Sequence, residues 1–255
     1  MDKIVTVLWI RHGLSCSNVL TAMIKNKRCN KNSKIIKKWL YPQFSKYPRD
    51  SPLTTEGKKH CKIIGKKLPK IDKVITSQLL RSIQTGYELS KYIPILRDNS
   101  IYISPYIQEL GTKADGNTGR TLNELSKNID KISKTQYFYL IGNKQEYQKK
   151  HNLKGFIKIL SKFVSKIKKK NITVLVVSHG GFLYKNISTS RMSNLESWKQ
   201  VWRFKNGIIN IEKASPFIPG IGKKRCGSYY CNPINFGVSN KNFKKIVNEC
   251  GFYTL

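Results

Sequence analysis

Val5-Thr6-Val7-Leu8-Trp9-Ile10-Arg11-His12-Gly13 and Thr173-Val174-Leu175-Val176-Val177-Ser178-His179-Gly180-Gly181 decide the fold of this chain. Each opens as a short apolar run rich in β-branched residues and ends in a histidine followed by glycine. Such runs read as strands buried on both faces of a parallel sheet, because helices cover these sheets from either side. Ligands of open α/β sheets bind beyond the carboxyl ends of the strands. Two imidazoles delivered there, one beside an arginine, suit a pocket for a phosphoryl group.

Working outward, the strands expected are residues 4–10, 73–77, 101–104, 173–178 and 207–212. Between them lie stretches of helical period. The clearest runs from Asn152 to Lys170, where Phe156, Leu160, Phe163 and Ile167 recur at helical spacing beside Ile157 and Val164, with lysines opposite. Thr54 reads as the N-cap of a helix carrying Ile63, Ile64 and Leu68, with Glu56 favoured in its first turn by the helix dipole. Ser77 reads as the cap of a helix through Arg81, Ile83 and Tyr87. Alternating strands and helices predict a three-layer α/β/α sandwich with a mostly parallel central sheet.

The 255 residues suffice for one domain with a substantial core. Residues 1–213 read as a catalytic domain, with 25–50 a basic insertion expected to fold over the site as a lid. Trp39, Tyr41, Phe44 and Tyr47 are read as pinning that insertion to the core. Residues 214–255 form an extension that is either specific to this chain's relatives or a loosely packed tail. No stretch reaches the roughly 18 apolar residues of a membrane span. The first apolar run is too short for a secretion signal and ends at Arg11-His12. An intracellular, cytoplasmic chain is therefore expected, with its six cysteines as free thiols. Cys226 and Cys231 have no matching histidine pair, so no metal site is read there.

The net charge is +34, from 39 lysines and nine arginines against 14 carboxylates. The lysines are spread along the whole chain, so most of the basicity reads as a solvated surface. Nonspecific binding of polyanions, nucleic acid included, is a consequence of such a field. Oligomeric state is not encoded in any feature of the sequence.

A phosphate monoester needs fixed donors and positive charge, a nucleophile in line with the leaving oxygen, and an acid to protonate that oxygen. His12 sits in a strand-to-loop turn where Gly13 permits close backbone approach. Arg11 offers a rigid fork, and Arg81 brings a second guanidinium from the first turn of a helix. Ser15 and Asn18 add neutral donors, His179 a further one, and the backbone of Gly180 lies nearby. His60 and His151 lie among lysines and are read as facing solvent. Cys16 is read as a small filler of the loop.

With these residues in view, the chain resembles the histidine phosphatase superfamily, the phosphoglycerate mutase-like fold. Arg11-His12-Gly13-Leu14-Ser15-Cys16-Ser17-Asn18 matches its signature loop, and Pro52-Leu53-Thr54-Thr55-Glu56-Gly57 its L-T-x-x-G helix start. Ser77-Gln78-Leu79-Leu80-Arg81-Ser82-Ile83-Gln84-Thr85 matches its S-x-L-x-R-x-x-Q-T segment, and Ser178-His179-Gly180-Gly181 its second histidine. The four occur in the family's order between residue 4 and about 212. The resemblance implies a phosphohistidine mechanism without metal or other cofactor, in which His12 attacks phosphorus while Arg11, Arg81 and His179 hold the phosphoryl oxygens.

By the same likeness the proton donor is Glu109, in Tyr106-Ile107-Gln108-Glu109-Leu110, with Asp50 second. The acid-phosphatase branch has Asp after its second histidine, where this chain has Gly180. True mutases carry an E-R-H-Y-G-type sequence at the acid, where this chain reads Glu109-Leu110-Gly111, although Lys113 and Arg120 remain available to an anionic substrate. Hydrolysis of a small-molecule or protein phosphate monoester is thus expected ahead of mutase activity. A catalytically weak basic protein that binds nucleic acid or acidic partners is the alternative of another class.

Overall fold

The computed structural model describes residues 2–19, 50–94, 100–110, 137–139, 152–205, 208–221 and 238–250. The expected lid at 25–50 apart from Asp50, together with Lys113, Arg120, His151 and the Cys226/Cys231 pair, falls outside them.

The elements are β1 (Lys3–Arg11), α1 (Thr55–Gly65), β2 (Lys73–Ser77), α2 (Leu80–Ser90), β3 (Ile101–Ser104) with a 3-10 turn at Pro105–Ile107, and β4 (Tyr137–Tyr139). Then follow α3 (Leu153–Ser165), β5 (Asn171–Ser178), α4 (Gly180–Asn186), β6 (Ser197–Lys205), β7 (Ile208–Ile211), β8 (Ser215–Ile218) and α5 (Asn240–Glu249). The sheet order is β4-β3-β2-β5-β1-β6-β7, with β8 also on β6. From β4 to β1 every pairing is parallel, and β6, β7 and β8 pair antiparallel. The sandwich is therefore present, with an antiparallel margin at one side.

Period-2 alternation separates the two cores. Val5, Val7 and Trp9 of β1, with Val174 and Val176 of β5, face Phe156, Leu160 and Val164 of α3 and Phe182 and Leu183 of α4. Leu8, Ile10, Leu175 and Val177 face the opposite way, onto Cys61, Ile64 and Leu89 of α1 and α2. A central strand must be apolar on both sides to satisfy both layers, which is why β1 and β5 read as continuous hydrophobic runs. Lys3 closes the end of α3 with its ammonium, donating to the carbonyls of Val164 at 2.8 Å and Ser165 at 3.0 Å, and to that of Ile167. Trp9 and Trp202, from neighbouring strands, both donate their indole N–H to Gln200 Oε1 at 3.0 Å.

Two expectations about the helices need correction. Thr54 does cap α1, accepting from Gly57 N at 2.9 Å, but Ser77 does not cap α2, whose N-cap is Leu79. The first amide of α2, Leu80 N, goes instead to Asp50 Oδ2 at 2.6 Å. His60 is buried, because it shares one face of α1 with Gly57, Cys61 and Ile64 while the lysines take the other.

The cysteines are not all free. Cys16, within the signature loop, and Cys250, just past α5, form a disulfide across a separation of 234 residues. The argument for a reducing compartment therefore loses its support from these two thiols. Glu249 accepts from both Thr55 N and Thr55 Oγ1, at 2.7 and 2.8 Å, and so holds α5 against the start of α1. With Val238, Phe243, Ile246 and Val247 buried, the described part of the extension is packed onto the domain. Among the described residues no helix is long and apolar enough to cross a membrane.

Candidate active site

Strand register brings the two histidines together. Arg11 of β1 pairs with Ser178 of the adjacent parallel strand β5, so His12 and His179 are the next residues of neighbouring strands. Their rings lie 5.1 Å apart between centroids. His12 N donates to Ser178 O at 2.9 Å.

Each side chain is held by identifiable partners. His12 Nδ1 lies 2.8 Å from Gly13 O, and a carbonyl only accepts, so Nδ1 carries the proton and Nε2 keeps its lone pair. Arg81 Nε donates to that Nε2 at 3.3 Å. Arg81 stands in the first turn of α2, with Asp50 Oδ1 3.8 Å from its Nη1. Asp50 is buried with a left-handed φ of 76°, a conformation that aspartate tolerates better than most residues. Asp50 thus anchors both α2 and the guanidinium it carries.

Arg11 donates from Nη1 to Met192 O at 2.7 Å. Its Nε has no hydrogen-bond partner among the described residues, and neither has His179 Nδ1. Buried polar atoms left unpaired are costly until a partner reaches them. A Cβ on Gly180 would come 3.1 Å from Arg11 Nε, so Gly180 and this guanidinium pack closely.

Glu109 stands at the start of α4. Its Oε1 accepts from Leu110 N at 2.9 Å, Gly181 N at 3.0 Å and Phe182 N at 3.3 Å. Its charge is felt by both Arg11 and Arg81. Ser15 and Asn18 brace one another: Asn18 Oδ1 accepts from Ser15 N at 3.2 Å and from Ser15 Oγ at 3.1 Å. Arg11, His12, Arg81, Glu109, His179 and Gly180 are thus brought to one place, and Ser15 and Asn18 continue the loop that leaves it.

Sequence reasoning passed over four supports. Gly13 N donates to Thr85 Oγ1 at 3.0 Å, and that hydroxyl donates to Arg81 O at 2.6 Å, tying loop to helix. Asn194 Nδ2 donates to His12 O at 2.8 Å, from a turn in which Leu195 holds a φ of 60°. A Cβ on Gly57 would meet Leu14 O at 2.2 Å, so only glycine lets α1 close on the signature loop. Ser77 Oγ lies 2.5 Å from His179 Nε2. Thr85, Gly57 and Ser77 fall within the quoted motifs, which mark them without giving their roles. Asn194 carries no signal at all.

The histidine phosphatase superfamily (branch 1) matches residues 43–211, more than half of the chain, and the chain belongs to that family. The Arg11–Asn18 loop precedes the matched range, and its position beside Arg81 and His179 comes from the structure. Among solved structures, the chain is similar to the protein histidine phosphatase SixA complexed with tungstate (13% identity, covering 83% of this chain and 96% of that one, TM-score 0.41). It is also similar to the ecdysone phosphate phosphatase from Bombix mori in complex with tungstate (12%, 91% and 98%, 0.45). A third is the phosphoserine phosphatase from Entamoeba histolytica in complex with 3-phosphoglyceric acid (14%, 82% and 96%, 0.41). No curated protein sequence matches the chain.

Burial, followed by the positive charge of Arg81, drives the pKa of both histidines well below the ordinary 6.5. Below pH 6.5 the unfolded chain binds protons that the folded chain refuses, so stability falls as pH falls toward the folded values. The expected slope is about 1.4 kcal/mol per pH unit for each imidazole, or about 2.7 for the pair. His60, also lowered by burial, adds in the same direction. Urea midpoints should be level above pH 6.5 and drop between 6.5 and 5.5. A midpoint unchanged down to pH 5.5 would contradict the burial of neutral imidazoles.

Proposed function

We propose that this chain is a phosphomonoester hydrolase that works without a metal, through a phosphohistidine on His12. The observation that supports it best is the state of His12: its Nδ1 proton is committed to Gly13 O, and its unprotonated Nε2 accepts from the buried Arg81 guanidinium within the field of Arg11. A neutral imidazole with an unprotonated Nε2 is a competent nucleophile, and the guanidiniums offset the charge of a phosphoryl dianion.

In the first step Nε2 attacks phosphorus and the ester P–O bond breaks. Glu109 serves as the acid that gives a proton to the departing oxygen. In the second step water attacks the phosphohistidine, the P–N bond breaks, Glu109 takes a proton from that water, and phosphate leaves. Ester and water become alcohol and phosphate. Arg11, Arg81 and His179 hold the phosphoryl oxygens throughout, with Ser15, Asn18 and the Gly180 backbone lining the approach.

The test uses a 32P-labelled aryl phosphate and rapid quenching in alkali. The expected product is one alkali-stable, acid-labile label per chain, formed equally well after treatment with a chelator. Turnover without a trapped label would overturn the covalent route, and turnover lost on chelation would overturn the metal-free one.

A further inference from the structure

Two neutral imidazoles 5.1 Å apart must divide the work, since one has to attack with a lone pair while the other donates a proton toward the phosphoryl oxygens. The division depends on which ring nitrogen carries hydrogen. For His12 the Gly13 carbonyl decides it. For His179 the structure offers a different device.

Ser77 ends β2, the strand next to β5, and its hydroxyl is fully buried against His179 Nε2 at 2.5 Å. The same oxygen accepts from Leu79 N at 3.3 Å. A hydroxyl has a single proton, and among the described residues the only acceptor near this one is His179 Nε2. If the hydroxyl donates there, the ring's proton stands on Nδ1, the nitrogen that has no protein partner. In the opposite arrangement the hydroxyl proton has nowhere to go, and Nδ1 turns a lone pair toward any bound anion.

We propose that Ser77 is a positioning residue which fixes His179 in the Nδ1–H tautomer, so that Nδ1 donates to the phosphoryl group while Nε2 is withdrawn from chemistry. This rests on the phosphoryl-transfer reading above, and it gives Ser77 of the S-x-L-x-R segment a role in place of the helix cap first read for it. The groups that act electrostatically on the His179 ring are Arg81, His12 and Arg11, so an anion held by the guanidiniums lies within the field of this N–H.

The tautomer can be read without turnover. The chain has four histidines, so 15N-histidine labelling and long-range proton–nitrogen correlation give a spectrum that a His179→Gln control assigns. The expected result is a protonated Nδ1 and a pyridine-type Nε2 on His179, with the Nδ1 signal shifting on addition of inorganic phosphate. In Ser77→Ala the expected spectrum is a mixture of tautomers or the Nε2–H form, and phosphoenzyme formation slows about 10- to 100-fold, by analogy with other orienting partners and donors. Ser77→Thr, which keeps the hydroxyl, is expected to restore the wild-type pattern.

An Nε2–H ring in the wild type overturns the inference, as does an Nδ1 signal indifferent to phosphate or a tautomer unchanged in Ser77→Ala. Should Ser77→Ala fail to fold, the wild-type tautomer and its phosphate shift still decide the matter. Absence of any phosphoenzyme alongside an Nδ1–H ring that responds to phosphate would count against the proposed reaction and leave the role of Ser77 standing.

Discussion

Replacement of His12 by alanine is expected to remove the acid-labile label completely and to lower turnover by at least about 10³-fold. Among the described residues, several neighbouring atoms are committed to other partners. His179 Nε2 is engaged by Ser77, Glu109 Oε1 by three amides, and Asp50 Oδ2 by the start of α2. The same substitution is expected to have an opposite effect on acid tolerance. It removes one buried imidazole whose protonation the fold resists, so the loss of stability below pH 6.5 should become shallower by about 1.4 kcal/mol per unit. Activity assays and urea titrations at pH 7.5 and 5.5 measure both effects on one preparation. A variant that still labels, or whose pH slope equals that of the wild type, would contradict the account given of His12.

Breaking the Cys16–Cys250 bond is the second large effect. A crosslink restricts the unfolded chain, and closing a loop of this size is worth at most about 5 kcal/mol by chain entropy, with about 2–4 typical of measured cases. The non-covalent contacts of α5 survive its loss, since Glu249 still accepts from Thr55 and Phe243 and Ile246 still lie buried. Cys250→Ser is therefore expected to fold, with its denaturation midpoint lowered by the equivalent of about 2–5 kcal/mol. Dithiothreitol, which takes the two electrons' worth of oxidation from the disulfide, should bring the wild type to the same midpoint and leave the variant unmoved. Equal midpoints with and without reductant in the wild type would mean that the bond is not formed in solution.

What the sequence revealed follows from where each residue sits. β1, β2, β3 and β5 lie in the parallel part of the sheet, so their centres are apolar and β-branched, interrupted only by threonine and tyrosine. β6 lies at the antiparallel margin, and Lys199 and Arg203 point outward from it, breaking the pattern. β8 contains Pro216, a residue at home only at sheet edges and so a poor advertisement for a strand. Lysine neighbours mask the position of His60, which recurs with Gly57, Cys61 and Ile64 at helical spacing on the inward face. The disulfide could not be foreseen, because only the folded chain brings residues 16 and 250 together.

The site divides in the same way. Arg11, His12, Arg81 and His179 announce themselves as charged or imidazole residues at strand and helix edges. The groups that hold them do not: an asparagine amide on His12 O, a threonine on Gly13 N and a serine on the second imidazole are ordinary residues until the fold sets them there.

Because His12 and His179 follow paired positions on two adjacent parallel strands, their separation is set by one inter-strand spacing, about 4.8 Å in any sheet. The length of chain joining them has no part in it. Relatives can therefore lengthen or shorten the connections between β1 and β5 without disturbing the distance between the two rings, provided the strands keep their register. A one-residue slip between β1 and β5, by contrast, would turn one imidazole to the opposite face of the sheet.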